Sequence, residues 1–206
     1  MSDELIYLYA MTDDKVEALR LQLLIVAAFM SVYDEERDDF AEENGIDPDL
    51  VYDDSFRDEY ELYVFDLIGR MRDRTQVEMK QQSELDRVAF LIAVKHFVDV
   101  NFEAIRRTEE KILKQTADLE VTNALLEKDS TARAYKTWHT SGLQETCDVC
   151  KALDGVTIPI DEPFLVNGQI IELGDGKEFI YTYETRYAAS AHTNCNCYIT
   201  ITIQYE

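Results

Sequence analysis

Cys147-Asp148-Val149-Cys150 and His192-Thr193-Asn194-Cys195-Asn196-Cys197 are the two stretches whose reading decides this chain. They hold all four cysteines of its 206 residues. A Cys-x-x-Cys step turns two thiolates toward one point, and a second cluster from far along the chain can complete a tetrahedral Zn²⁺ site. Five candidate donors, Cys147, Cys150, His192, Cys195 and Cys197, compete for four places. Cys195 and Cys197 are two apart, so on an extended strand they face the same side. The spacing favours Cys147, Cys150, Cys195 and Cys197, or the same set with His192 in place of one of the last two. Three other states stay open: free buried thiols, two disulfides in an oxidising setting, and a redox pair at Cys147 and Cys150. Nothing around that pair resembles the βαβ pattern of thioredoxin-like proteins.

Working outward, the surrounding composition fits a small, turn-rich unit. Gly155, Gly168, Gly174 and Gly176 fall here, together with Pro159 and Pro163. Short β-prone runs occupy 156–160, 164–166, 169–173, 179–183 and 198–203. Asn167-Gly168 between two of them is a two-residue hairpin signal. A metal staple suits a unit too small to rely on its own core. The boundary is expected near residue 135.

Before that boundary the chain reads as helix. Asp13-Asp14 can cap a helix from about 15 to 43. Val16, Leu19, Leu23, Val26, Met30 and Tyr33 recur at helical spacing. Asn44-Gly45-Ile46-Asp47-Pro48 stops it, because Gly permits a left-handed cap and Pro cannot continue the helix. A second helical region starts near Asp54-Ser55 and reaches about Ala134, with possible joints at Gly69 and at 70–74. Residues 84–128 contain neither Gly nor Pro. They make either two antiparallel helices or one helix about 68 Å long at about 1.5 Å per residue. His96, in an apolar run, reads as a packed helix histidine. The expected fold class is α+β: an acidic, long-helical region at 1–134 for subunit contacts, then a small β-rich Cys/His domain of zinc type at 135–206.

Charge narrows the partners. The formal net charge is -22, and residues 1–68 alone carry 20 acidic against 4 basic side chains. A phosphate backbone binds through Lys and Arg, so direct nucleic-acid binding is disfavoured as the main activity. The acidic arm reads as a solvated helix face or as a surface for a basic partner. Met1-Ser2-Asp3-Glu4 is acidic, unlike a signal peptide. The apolar run 21–32 is shorter than the roughly 20 residues that span a bilayer. A soluble protein made in the cytoplasm, without membrane contact, is expected.

Tyr135-Lys-Thr-Trp138-His-Thr-Ser-Gly142 precedes Cys147-Asp-Val-Cys150-Lys-Ala-Leu153-Asp154-Gly155, and Pro163-Phe164 and His192-x-x-Cys195-x-Cys197 follow in order. This succession resembles the phage Mu protein F-like minor head (head morphogenesis) family over about residues 130–206. Two departures stand out: Ala189-Ser190-Ala191 where that family often has Pro-Pro before the His, and Asn196 where it usually has Arg. Neither position is a candidate ligand. The resemblance implies a virion location in the phage head and multiple copies in an assembly. It also implies contacts with portal and/or major capsid protein and other virion proteins, and a part in DNA packaging or delivery.

Three functions from different classes follow. One is a non-enzymatic structural head protein with a structural Zn²⁺. Another is a small metal-dependent nuclease or hydrolase, in which His139 or His192 beside a metal activates water. The last is an acidic DNA mimic that inhibits a basic partner. Five donors crowd a site that catalysis would need to leave open, and no nucleophile elbow, P-loop, Rossmann fingerprint or zincin motif is present.

Overall fold

Each helix starts and stops on a legible local signal. The Asp14 carboxylate accepts from the backbone N–H of Val16 and Glu17 at 2.8 and 3.1 Å, capping α2 (Lys15–Glu43), which follows α1 (Asp3–Met11). Gly45 ends α2 in the left-handed region, at φ 69°. There the Ile46 N–H donates to Ala41 O at 2.9 Å and the Gly45 N–H to Glu42 O at 3.0 Å, the paired bonds of a Schellman cap. A 3-10 turn, Pro48–Leu50, is capped by Asp47. α3 (Asp54–Gln81) and α4 (Arg87–Lys128) follow, the latter capped by Asp86 through Val88 and Ala89. The computed structural model describes residues 3–51, 54–82, 85–142, 146–174, 176–183, 185–192 and 195–205. Within them lie a long N-terminal helical region and a small C-terminal sheet region that carries the Cys/His cluster.

The joint in the second helical region falls between Gln81 and Arg87, and not at Gly69 or 70–74, which lie inside α3. Gly69 serves packing instead: a Cβ there would stand 3.3 Å from Nε2 of Gln22, whose amide donates to Phe65 O at 2.6 Å. After that joint the chain runs as a single helix of 42 residues, about 63 Å long.

Burial shifts the stripe expected on α2. On α2, Val26, Met30 and Tyr33 are buried, but Val16, Leu19 and Leu23 are exposed, and Leu21, Ile25 and Phe29 are buried in their place. On α4, Val88, Leu91 and Ile92 are exposed, whereas Val94, Val98 and Phe102 are buried. His96 is exposed, contrary to the packed reading. The run 21–32 is shorter than a bilayer span, yet the whole of α2 contains an 18-residue window long and apolar enough to be one; 44% of that window is buried within the fold.

Contacts divide the chain into two compact units at points other than the compositional boundary. One comprises Met1–Val32 and Asp53–Arg107; the other comprises Tyr33–Tyr52 and Thr108–Glu206. In the first, Arg72 of α3 donates to the carbonyls of Tyr9 and Thr12, tying α1 to α3.

In the second unit Asp129 closes α4: its carboxylate accepts from the Thr131 N–H and hydroxyl, and Ala132 N–H bonds to Asp129 O. β1 (Ala132–His139) therefore begins three residues before the compositional boundary. It alternates strictly, burying Ala132, Ala134, Lys136 and Trp138. β1 is the central strand of an antiparallel sheet in the order β2-β1-β5, with β2 Thr157–Pro159 and β5 Tyr198–Tyr205. α5 (Asp148–Leu153) lies between β1 and β2. β3 (Ile170–Gly174) and β4 (Lys177–Ile180) form a separate hairpin. Asn167-Gly168 does not join a hairpin between 164–166 and 169–173. Leu165 instead bridges to Arg186, and Gly168 N–H donates to Tyr181 O. Leu119 of α4 packs with Ala134, Ile160 and the inner isoleucines of β5, which seats the sheet on the helix.

Next to Leu119 on α4, Asp118 has a buried Oδ1 without a hydrogen-bond partner. Burial pushes its carboxyl up to about 6; Glu36 and Glu43 add to this and Lys114 opposes it. Between about pH 4 and pH 6 the folded chain holds a proton that the unfolded chain has lost, so stability falls as pH rises through that window. Asp118→Asn is expected to raise the melting temperature at pH 7 by about 2–4 °C, with the gain vanishing near pH 4. Calorimetry across that range checks it; an unchanged melting temperature at pH 7 would show that the carboxylate is well solvated.

Candidate metal centre

Cys147 occupies the N-cap of α5, and its sulfur accepts from the backbone N–H of Cys150 at 3.4 Å. One turn of helix thus aims both sulfurs the same way, which is what the two-residue spacing demands. The second pair arrives where the chain enters β5: Cys197 directly precedes Tyr198. Sγ of Cys150 and Sγ of Cys195 lie 3.6 Å apart. That is far beyond an S–S bond of about 2.05 Å. It is close to the roughly 3.8 Å edge of a tetrahedron of sulfurs each about 2.3 Å from zinc.

The donors form two overlapping triads, Cys147/Cys150/His192 and Cys150/Cys195/Cys197, with ligand atoms within 4.8 Å of one another in each. Cys150 belongs to both. Cys150, Cys195 and Cys197 are buried, Cys147 is half-buried and His192 is exposed. All five expected donors therefore come together. Thr193 and Asn194, between His192 and Cys195, lie outside the described residues. His139 belongs to neither triad: its ring stacks on Tyr198 at 5.1 Å and bonds to the Thr200 hydroxyl at 2.8 Å.

No family model, curated protein or solved structure matches this chain. The chemistry of the centre must be argued from its own surroundings. These surroundings suit anionic sulfur. Trp138, fully buried beside the cysteines, has an indole N–H without a hydrogen-bond partner. Trp138 lowers the Cys197 thiol and so favours its ionised form. Lys111 of α4 donates to the Cys195 carbonyl. Burial pulls the Lys111 ammonium down, while the sulfurs of Cys195, Cys197 and Cys150 push it back up.

Ionisation among the three buried sulfurs is uneven. Cys195 is drawn far below the usual thiol range by hydrogen bonds from Cys150 and then Cys197, with the Lys111 charge assisting. Cys150 is driven far above it by those same bonds to Cys195 and Cys197, and then by burial. For Cys197, Cys150 favours ionisation, but Cys195 and burial prevail and push it up to about 11. Three thiolates so close repel one another, and a cation among them removes the conflict. A bound divalent ion would be held by Cys150 with Cys195 and Cys197, completed by Cys147 or His192. It would supply folding energy and no open position for chemistry.

The rest of the unit converges on the same place. Phe164 meets Trp138 edge to face, with centroids 5.3 Å apart. At the end of α5, Gly155 takes φ 76° and its N–H donates to Trp138 O at 2.8 Å, while Asp154 accepts from the Thr140 N–H at 2.7 Å. Leu153-Asp154-Gly155 is thus a clasp from the Cys-x-x-Cys helix back to β1. Sequence reading missed Lys111 and Gln115. Gln115 Oε1 accepts from the Ala189 N–H at 3.1 Å. The signal was available: 111, 115 and 119 share one face of α4 at four-residue steps.

Cys150→Ser is expected to abolish tight metal binding, since both triads lose a member, whereas His192→Ala weakens it less. Lys111→Met should lower affinity about 10-fold, the scale of groups that orient ligands, and Lys111→Arg should retain most of it. Competition against a chromophoric chelator reads the wild type and all four variants. Equal affinities for the wild type and Cys150→Ser would place the metal elsewhere.

Proposed function

We propose that this chain is a non-enzymatic minor head protein of a tailed phage, with one structural Zn²⁺ in the Cys/His centre. Its helical part contacts portal and/or major capsid protein during head assembly, in several copies. The observation that carries the structural reading is the crowding of the centre. Three buried sulfurs converge, and two further donors stand over them, so the donor set exceeds the four places of a zinc site. Catalysis by bound metal needs a vacant place for water or substrate.

The phage-head assignment is supported by the ordered succession from Trp138 to Cys197. Its pieces are dispersed over sixty residues, yet they meet around one centre: Trp138 and Phe164 in ring contact, Gly155 bonded to Trp138, and the four cysteines beside them. A chain that folds around such a staple presents long helices as its contact surface, which suits a protein that joins other subunits. The strong negative charge keeps it from competing for the packaged nucleic acid.

Elemental analysis of the purified protein is expected to give about one zinc per chain, as a closed four-ligand site holds. Chelation should then expose 108–206 to proteolysis, and the metal-loaded protein should be retained by immobilised portal or coat protein of its own phage. A preparation with neither bound zinc nor portal or coat association would overturn the proposal.

A further inference from the structure

β5 has one neighbour. It pairs with β1 over all eight of its residues, from Tyr198↔His139 to Tyr205↔Ala132, and no other strand pairs with it among the described residues. The direction of its backbone groups follows from β1. Ala134 O accepts from the Ile160 N–H, and Trp138 bonds through its N–H to Val156 O and through its carbonyl to Gly155 N–H. The backbone groups of Ala134, Lys136 and Trp138 therefore point to the β2 side. Those of Arg133, Tyr135, Thr137 and His139 point to β5, where they meet Gln204, Thr202, Thr200 and Tyr198. By the same alternation Ile199, Ile201, Ile203 and Tyr205 turn their N–H and C=O groups to the outer edge.

Edges of this kind are normally protected by charge, proline, a bulge or short length. β5 has none of these: it is eight residues long, pairs with β1 without a register shift, and carries no charged residue and no proline. In a chain that is 30% charged, about two charges would be expected over such a length if they were spread evenly.

We infer that this edge is the contact between two copies of the chain, with the β5 strands paired antiparallel about a two-fold axis at Ile201. The strand is self-complementary in that register. Ile201 meets Ile201, Ile199 meets Ile203, and each such pair exchanges two bonds through the outward groups, about six bonds in all. The three isoleucines of both copies then share the face that already packs on Leu119 and Ile160. Thr200 meets Thr202 on the opposite, exposed face. An isologous contact of this type closes at two copies. Its uncharged edge brings no like charges opposite each other, in a protein of net charge -22. Neither the metal nor the phage reading is needed for this inference.

Sedimentation velocity on the purified full chain tests it, at concentrations up to about 100 μM, the range in which a weak dimer declares itself. The wild type is expected to be a dimer. Thr200→Lys with Thr202→Lys sets Lys opposite Lys twice across the axis and should raise the dimer dissociation constant at least about tenfold. Thr200→Lys with Thr202→Glu sets Lys opposite Glu twice and should keep the dimer. Both variants lose the same Thr200 bond to His139, so that loss does not separate them, and circular dichroism confirms that each is folded. A monomeric wild type overturns the inference, including the case where the edge takes a strand from another protein. So does a dimer that responds equally to the two double substitutions.

Discussion

Three buried sulfurs within 4.8 Å of one another are the constraint on which the C-terminal unit turns. Neutral thiols could pack there as small apolar groups, but the surroundings are not those of an apolar core. A buried indole N–H without a partner, the backbone N–H of Cys150 and the Lys111 ammonium all bring positive charge toward the sulfurs or their backbone. Each costs desolvation when buried, and negative charge on the sulfurs offsets that cost. Several thiolates so close are tolerable with a cation between them. The polar groups therefore argue for metal more strongly than the spacing of the cysteines does, because spacing is equally compatible with oxidation.

α4 gives that centre a rigid backing. Lys111, Gln115 and Leu119 stand on one face, and each engages a different part of the folded-back chain: the Cys195 carbonyl, the Ala189 N–H and the core under β5. Two of the three contacts are polar and reach loop backbone that has no strand to pair with. A backbone group buried without a partner would cost about 1–3 kcal/mol, so these side chains hold the loop before the centre in one path. The compact unit accordingly includes residues from Thr108 onward, although composition changes only after Ala134.

What the sequence disclosed, and what it hid, follows from how local each signal is. The α2 limits were legible because Asp14 and Gly45 act on bonds within one turn. The convergence of the five Cys/His residues was legible because cysteine is scarce and its spacing is chemical. The joint at 82–86 was not, since no glycine or proline marks it and Asp86 caps α4 with a residue type common throughout the chain. Gly69 misled for the opposite reason: it answers a tertiary approach by Gln22, which no local pattern records. β1 was hidden by Lys136, a charged residue at an inward position. It is buried with its ammonium bonded to Ile160 O at 2.8 Å and set over the rings of Phe164 and Tyr187. Burial brings it down to about 8, against the pull of Asp161 and Glu162. The exposed Val16, Leu19 and Leu23 show that helical period alone does not say which face is covered.

The centre and the sheet are not independent devices. β1 leads to Cys147 through a short connection, and Cys197 leads into β5 with no connection at all. Both strands of the β1·β5 ladder therefore connect, beyond the pair Tyr198↔His139, to the same Cys/His cluster. An ion tying Cys150 to Cys195, 45 positions apart, would remove loop entropy from the unfolded chain worth about 4 kcal/mol on the chain-entropy account of a cross-link. It would do so at the end of the ladder where an untied strand would fray first. With an ion bound, the register of β5, and with it the direction in which Ile199, Ile201 and Ile203 present their backbone, would be pinned from the cysteine side. A strand whose edge is left open needs that pinning, because a slip by one residue would turn its isoleucines to solvent and its threonines to the core.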